Sequence, residues 1–505
     1  MGSLRAHVTR EQGERSVLSE HILVIDAGTT STRAMLFDRA GAPAGSAQAE
    51  ITQHFPKPGW VEHDPQEIWQ ASLNCARRVL GNRSPESIAA IGITNQRETV
   101  VAWDRNTLEP LARAIVWQDR RTAQSCANLR DAGHEEEVHR QTGLLLDPYF
   151  SATKMRWLLE NAPEVAAAAE EGRLAFGTVE SWLVAKLSGG DHISDASNAS
   201  RTLLLPLGEA GFSESLCDLF GVLHGALPRV VDTHGELATC DPGLFGHPIP
   251  ICGLLGDQQA ATIGQGCLAE GETKATYGTG AFILANHGTE IPRSEHRLLS
   301  TVLMQRGGKR TYAIEGSVFV AGSLIQWLRD SLGLISDARE TEALARSVES
   351  SGEVVIVPAL AGLGAPHWRA EARGLIAGLS FASGKAEIVR AALESIACQT
   401  HDLATAFAAD GAKWESLRID GGMSANDWLA QDIADILGLA VERPRFVETT
   451  SLGAAIAAAT GVGWYVDLPE AAEAMRGTVD RFEPQMAPDV RTERLQRWEK
   501  ALAAA

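Results

Sequence analysis

An acid and an amide, Asp257 and Gln258, follow an apolar run at 249–255, and twenty residues further on the chain reads Tyr277-Gly278-Thr279-Gly280-Ala281-Phe282. The run reads as a buried strand, and the carboxyl ends of strands in open α/β sheets are where ligands bind. Asp257 is thereby placed as a catalytic base. Gly278-Thr279-Gly280 interrupts two β-like runs, so bare backbone N–H groups and one hydroxyl can approach a phosphate closely. Read alone, the same residues also suit a polar strand end and an ordinary hairpin.

The same device opens the chain. An apolar run at 21–26 ends in Asp26, residues 27–32 form a tight polar turn containing Gly28, Thr29 and Thr30, and a second strand follows at 33–38. With the pattern at 273–286, this is a weak internal repeat: two phosphate-binding halves expected to face each other across a cleft. A run at 88–94, apolar on both faces, ends in Asn95-Gln96-Arg97-Glu98, and one at 114–117 ends in Trp117 before Gln118, Asp119, Arg120 and Arg121. Arg97 and Glu98 suit either a site or a structural ion pair, and Tyr149, ahead of a helix expected over 154–160, suits either a cleft or half-buried packing. Two Gly-Thr turns, acids at two strand ends and no Walker-type lysine point to phosphoryl transfer without a P-loop. That chemistry must hold Mg²⁺ and the phosphates, neutralise charge on the moving group and deprotonate the acceptor. Asp26, through water, is the candidate for Mg²⁺; Thr29, Thr30, Arg33 and Thr279 for phosphate oxygens; Asp257 for the proton of an alcohol.

Positioning these residues requires strand and helix in alternation. Asp64, Pro65 and Glu67 read as the start of a helix running to about Leu80 before Gly81. A helix is expected over 179–186 and a strand over 202–205; the Asn198-Ala-Ser-Arg201 stretch between them has no account from spacing. In the second half, Gln326 lies on a helix expected over 320–332 and entered near Gly322, where its amide suits either a ligand or solvent. A buried strand at 354–357 leads to a Gly-rich loop at 362–364, and a long helix covers 387–407. The strand 417–420, the Gly421-Gly422-Met423 turn and a helix capped by Ser424 or Asn426 and ended at Gly438 make a natural nucleotide phosphate or sugar site. An Ala-rich helix at 454–460 can pack tightly, and 491–505 reads as a polar surface helix.

At 505 residues, the chain exceeds one ordinary core, and two large domains are expected. The boundaries are a loose tail at 1–20, an N-terminal domain at 21–266 and a C-terminal domain at 267–505. The balance of 45 basic against 64 acidic residues, net −19, excludes general affinity for nucleic acid or anionic membranes. No apolar run approaches the roughly 18 residues of a membrane span and residues 1–20 hold no export core, so a cytoplasmic, soluble protein is expected. Seven scattered cysteines without a Cys-x-x-Cys pair fit reduced core thiols.

The motifs Phe55-Pro-Lys-Pro-Gly-Trp-Val-Glu-His-Asp64, Gly92-Ile-Thr-Asn-Gln-Arg-Glu98, Asp147-Pro-Tyr-Phe-Ser151, Gly256-Asp-Gln-Gln259, Tyr277-Gly-Thr-Gly280 and Gly362-Leu-Gly-Ala-Pro366 stand in one order. Together with segments 149–161 and 374–394, they resemble the FGGY carbohydrate kinase family over 21–464, and within it the members that phosphorylate glycerol. The resemblance implies an α/β fold of two ribonuclease-H-like domains, of the actin and Hsp70 ATPase type, that close about a hinge near Gly264 to Gly271. It implies ATP with Mg²⁺ held by Asp26, and glycerol contacts from Arg97, Glu98, Trp117, Tyr149, Asp257, Gln258 and Phe282, with Asp257 as general base. It also implies nucleotide contacts from Thr30, Arg33, Thr279, Gly322, Gln326, Gly422, Met423 and Asn426, with Thr29 and Ser31 in the same turn, and a homodimer or homotetramer. Ala27 stands where relatives often carry Gln, which alters water placement near the metal without removing a ligand. Segment 242–248 lacks the Gly-rich, Arg-bearing loop through which some relatives bind fructose 1,6-bisphosphate, so little inhibition by that compound is expected. The competing readings are a kinase for another polyol or sugar, such as erythritol or xylulose, and a nucleotide-switched binding protein.

Overall fold

The computed structural model describes residues 20–369 and 371–505. The expected loose tail falls, but for Glu20, outside the described residues. The described residues divide into two compact units, the first comprising 20–266, 301–310 and 450–476, the second 267–300, 311–449 and 477–505. The division falls between Gly266 and Cys267, and two short segments from later in the chain count with the first unit.

The first unit is built on β1 (His21–Ala27), β2 (Ser31–Phe37), β3 (Pro43–Glu50), β4 (Ile88–Asn95), β5 (His234–Thr239) and β6 (Pro250–Gly256), in the sheet order β5-β6-β4-β1-β2-β3. β1, β4 and β6 run parallel, while β2 and β3 return antiparallel beside β1. Every residue of β4 is buried, as a central parallel strand covered on both faces requires. Two helices pack nearby for legible reasons. α1 (Pro65–Leu80) begins where the Asp64 carboxylate accepts from Gln66 N at 2.9 Å and ends at Gly81. The Ala-rich α9 (Thr449–Gly461) lies so close to the sheet that a Cβ on Gly92 would meet the Ala454 carbonyl at 2.5 Å, and one on Gly253 would meet Ala458 N at 2.8 Å. The other helices used below are α2 (Ala152–Asn161), α3 (Val179–Ser188), α4 (Ala196–Ala199) and α5 (Asp257–Gly264).

The second unit repeats the plan. β7 (Thr273–Tyr277), β8 (Ala281–Asn286), β9 (Leu299–Arg306), β10 (Lys309–Val318), β11 (Ser416–Asp420), β12 (Ala440–Pro444) and β13 (Val479–Phe482) lie in the order β9-β10-β8-β7-β11-β12-β13. β7 pairs antiparallel with β8 and parallel with β11, which is parallel to β12. The series β10-β8-β7-β11-β12 therefore reproduces β3-β2-β1-β4-β6 in order and sense, so the repeat suggested by two Gly-Thr turns is a repeat of five strands. Its helices are α6 (Gly322–Asp330), α7 (Lys385–Ala409), α8 (Asp427–Leu437) and α10 (Pro488–Ala504).

Three local expectations are corrected. Residues 202–205 form no strand: Leu203 has φ 68°, a left-handed conformation incompatible with extended pairing. The run at 114–117 is a strand only over Ala114–Ile115. α10 is not simply a surface helix, because Trp498 is buried and buried Arg494 is paired with Asp432 at 2.5 Å.

Candidate active site

In the first unit the sheet ends β4 and β6 deliver the central pair. Arg97 and Glu98 follow β4, Asp257 opens α5 directly after β6, and Arg97 Nε lies 3.2 Å from Asp257 Oδ1. The same nitrogen is 3.9 Å from Glu98 Oε1. The Asp257 side chain is 32% exposed, whereas those of Arg97 and Glu98 are 2% exposed, so Asp257 is the acid of the cluster that reaches solvent. Its Oδ1 also accepts from Gln258 N at 2.7 Å. Glu98 has φ 60°, a left-handed conformation that an unbranched acid adopts only at a cost of order 1–3 kcal/mol and that marks functional sites. A Cβ on Gly256 would lie 2.7 Å from Arg97 Cδ, so the arginine stem runs across bare backbone.

Two aromatic residues complete this group. Arg97 Nη2 donates to the Tyr149 hydroxyl at 3.4 Å, and Tyr149 meets Trp117 edge to face at 5.6 Å between ring centroids. Trp117 Nε1 donates to Thr29 Oγ1 at 3.0 Å, which joins the group to the first Gly-Thr turn. That turn is closed by Gly28 N to the Ser31 carbonyl at 3.0 Å and braced by Gln96 Nε2, which donates to the Gly28 carbonyl at 3.1 Å. Thr30 is exposed at its tip. Gln48 ties two further residues together, donating to Ser31 Oγ at 2.8 Å and accepting from Arg33 Nη2 at 3.2 Å. At the end of β1, half-buried Asp26 accepts from Ser451 Oγ at 2.9 Å. Among the described residues no three His, Cys, Asp or Glu side chains form a metal cluster. A lone carboxylate fits Mg²⁺, which keeps several waters and takes one or two carboxylates alongside substrate phosphates.

Sequence reasoning missed what stands behind these residues. Arg201 Nε lies 2.6 Å from Glu98 Oε1, with both side chains buried. Asp195 caps α4 by accepting from Ser197 N and Asn198 N. Asn198 exchanges two side-chain hydrogen bonds of 3.0 Å with Asn95, and Ser197 Oγ accepts from Gly256 N at 3.0 Å. Lys154 Nζ, wholly buried, donates to the Tyr149 carbonyl at 2.7 Å; burial lowers its pKa to about 8 against the opposing pull of Glu98. The available signal was a polar Asn-Ala-Ser-Arg stretch inside a buried segment.

The remaining candidates lie in the second unit. Thr279 is exposed between β7 and β8, and its carbonyl accepts from Ala321 N at 2.9 Å and Ser323 N at 3.1 Å. Gly322 N donates to the Gly278 carbonyl at 2.9 Å, so the Gly-Thr turn is bound to the N-terminus of α6. A Cβ on Gly322 would meet that carbonyl at 2.5 Å and Met423 Cγ at 3.4 Å, which places Met423 against the same turn. Gly421, with φ 85°, lets β11 turn sharply past Tyr277. Gly422 is exposed just beyond it, and Gln326 is exposed on α6. Of the two possible caps it is Asn426 that caps α8, accepting from Leu429 N at 3.0 Å; its amide donates to Thr341 Oγ1 at 3.1 Å. Phe282 belongs to this unit, half-buried on β8 across the ladder from Thr276, and is thus not among the polar residues of the first. The exposed Gly278 and Thr279 of this turn, with no bulky side chain before the hydroxyl, suit the close approach of a phosphate. The first unit's acid, arginine and hydroxyl-bearing groups suit a small polyhydroxylated acceptor.

Residues 21–264 match the FGGY family of carbohydrate kinases, N-terminal domain, and residues 273–462 its C-terminal domain. The chain is 53% identical over 488 residues to a glycerol kinase of Alcanivorax borkumensis, covering 96% of this chain and 98% of that one. It is 49% identical over 494 residues to one of Deinococcus radiodurans, covering 97% and 98%. Among solved structures it resembles the Plasmodium falciparum glycerol kinase with ADP, with a TM-score of 0.90, 35% identity and coverage of 96% and 98%. A xylulose kinase from Lactobacillus acidophilus shares the fold, with a TM-score of 0.85 at 21% identity over 96% of this chain and 97% of that one. With both family domains matched in order and the site residues at the strand ends, this chain belongs to the FGGY family of carbohydrate kinases.

Proposed function

We propose that this chain transfers the γ-phosphoryl group of ATP to glycerol, giving sn-glycerol 3-phosphate and ADP. The observation that carries the reading is the Arg97–Asp257 pair, 3.2 Å apart at the ends of adjacent parallel strands, in a chain about half identical to glycerol kinases along nearly its whole length. Asp257 takes the proton of the attacking hydroxyl as that oxygen bonds to the γ-phosphorus and the bond to the β-phosphate oxygen breaks. Arg97, Glu98, Tyr149 and Gln258 pair the hydroxyls, and Trp117 with Phe282 supplies the apolar wall for the carbons. Pairing every hydroxyl is what specificity requires. A ligand of six heavy atoms, at a ceiling of about −1.5 kcal/mol each, leaves little binding energy. Sites built on hydrogen-bonded hydroxyls reject analogues lacking one by roughly 10⁴–10⁵.

Thr29, Thr30, Ser31, Arg33 and Thr279 contact phosphate oxygens, while Gly322, Gln326, Gly422, Met423 and Asn426 contact the rest of the nucleotide. Asp26, through water, would hold Mg²⁺, which would supply charge neutralisation for the phosphoryl group being transferred. The reaction takes place in the cytoplasm, on a homodimer or homotetramer. Among the described residues no helix is long and apolar enough to cross a membrane. The test is ADP release from Mg-ATP with glycerol, dihydroxyacetone, erythritol, xylulose and no acceptor. Strong glycerol dependence is expected. Turnover with another acceptor alone would discard the hydroxyl contacts, and acceptor-independent hydrolysis would overturn the reading.

A further inference from the structure

Glu98 is a buried carboxylate in a left-handed backbone conformation, and something must fix where its oxygens point. Arg97 does not suffice, since its Nε stands 3.9 Å from Glu98 Oε1 and 3.2 Å from Asp257. The close partner is Arg201, whose Nε donates to Glu98 Oε1 at 2.6 Å. Arg201 is itself fully buried, with its guanidinium against the rings of Phe150 and Tyr149 at 5.3 and 5.7 Å. Its backbone is equally fixed. Asp195 caps α4, Asn198 locks onto Asn95 at the end of β4, and Ser197 Oγ accepts from the N–H of Gly256 at the end of β6. One seven-residue segment thus grips both strand ends immediately before Arg97–Glu98 and before Asp257, and finishes in the guanidinium that clamps Glu98.

We infer that Arg201 is the positioning residue of the acceptor site: it holds Glu98 aimed at a substrate hydroxyl without itself touching substrate, on a template formed by residues 195–201. The inference rests on the proposed polyol site. A carboxylate held by a fixed, buried guanidinium keeps its orientation in the absence of ligand, which is how supporting groups confer precision on those that bind.

The test is steady-state kinetics of Arg201→Gln, Glu98→Gln and the double variant with glycerol and Mg-ATP. Arg201→Gln is expected to raise KM for glycerol about 10–100-fold, the usual effect of displacing a binding group by about an ångström, with KM for ATP within twofold. Because Arg201 acts through Glu98, the double variant should be no worse than Glu98→Gln alone. Arg201→Lys, which keeps the charge but not the planar fork, should restore part of the loss and covers the case in which the glutamine variant does not fold. Additive losses in the double variant, a parallel rise in KM for ATP, or an unchanged KM for glycerol in Arg201→Gln would overturn the assignment. A wild-type chain that phosphorylates no polyol would overturn the function itself, whereas a glycerol-dependent wild type with an indifferent Arg201 would overturn this inference alone.

Discussion

Trp117 Nε1 donates a 3.0 Å hydrogen bond to Thr29 Oγ1, so the indole proposed to wall the acceptor also fixes a hydroxyl of the first phosphate turn. The turn is also braced by Gln96, whose carboxamide oxygen accepts from Thr99 Oγ1 at 2.9 Å while Thr99 Oγ1 accepts from Trp117 N at 3.2 Å. Trp117, Thr99, Gln96 and the turn bearing Gly28 and Thr29 are one hydrogen-bonded unit. Trp117→Phe keeps an apolar ring and removes the bond. Losing a neutral hydrogen bond worth about 0.5–1.5 kcal/mol predicts a roughly 2–10-fold fall in kcat/KM for ATP. Initial rates at saturating glycerol decide it, and a loss confined to KM for glycerol would show that the bond does not serve the turn.

Asp257→Asn removes the proposed base while keeping its size and its place at the start of α5. A positioned base contributes roughly 10²–10⁴ in rate, so kcat should fall by about that much with an unaltered circular-dichroism spectrum. Turnover close to wild type would exclude the assignment. The loss should appear in kcat more than in KM for ATP, since Asp257 pairs with Arg97, among the groups proposed to bind the acceptor, rather than with the turn proposed to bind phosphate.

What the sequence made legible was the local chemistry. Both Gly-Thr turns, the capped start of α1 at Asp64, the strand ends bearing Arg97 and Asp257, and the Ala-rich helix that packs against Gly92 all follow from short-range rules of spacing and size. The illegible part was the support. Asn198 meets Asn95, and Arg201 meets Glu98, each across 103 residues of chain, and no periodicity within 195–201 announces either partner. The error at 202–205 has the same origin. Three leucines in a row look like a strand, but Leu203 takes a left-handed conformation and the segment is buried as coil.

Two glycines separate function from stability. At Gly92 a methyl group would meet the Ala454 carbonyl at 2.5 Å and Ala458 Cβ at 3.2 Å, neither of which can swing away on a side-chain torsion. Gly92→Ala should therefore lower stability by about 1–3 kcal/mol, the usual cost of overpacking. At Gly256 the methyl group would instead meet Arg97 Cδ at 2.7 Å and Gln259 Oε1 at 2.8 Å, which are side-chain atoms rather than backbone. Gly256→Ala should leave most of the stability and raise KM for glycerol by moving Arg97. Thermal melts and acceptor titrations on both variants check the contrast, and equal loss of stability with no kinetic change at Gly256 would refute it.

Glu180, on α3, supplies a pH dependence. It is fully buried, accepts from Ser194 Oγ at 2.5 Å and from Thr178 Oγ1, and burial, followed by the nearby Asp195, raises its pKa to about 7. A carboxyl raised in the fold binds a proton that the unfolded chain has released between its ordinary value and about 7. Its contribution to stability is thus fully present below the ordinary carboxylate range and is lost as pH rises through about 7. Glu180→Gln keeps the shape without the ionisation. Unfolding of the variant should therefore lose the part of the wild-type destabilisation that develops between about pH 4.5 and 7, so that the variant gains on wild type as pH rises. Denaturant melts at about pH 4 and about pH 8 give the comparison, flanking the window. A difference between variant and wild type that stays constant from one to the other would mean that Glu180 does not titrate there.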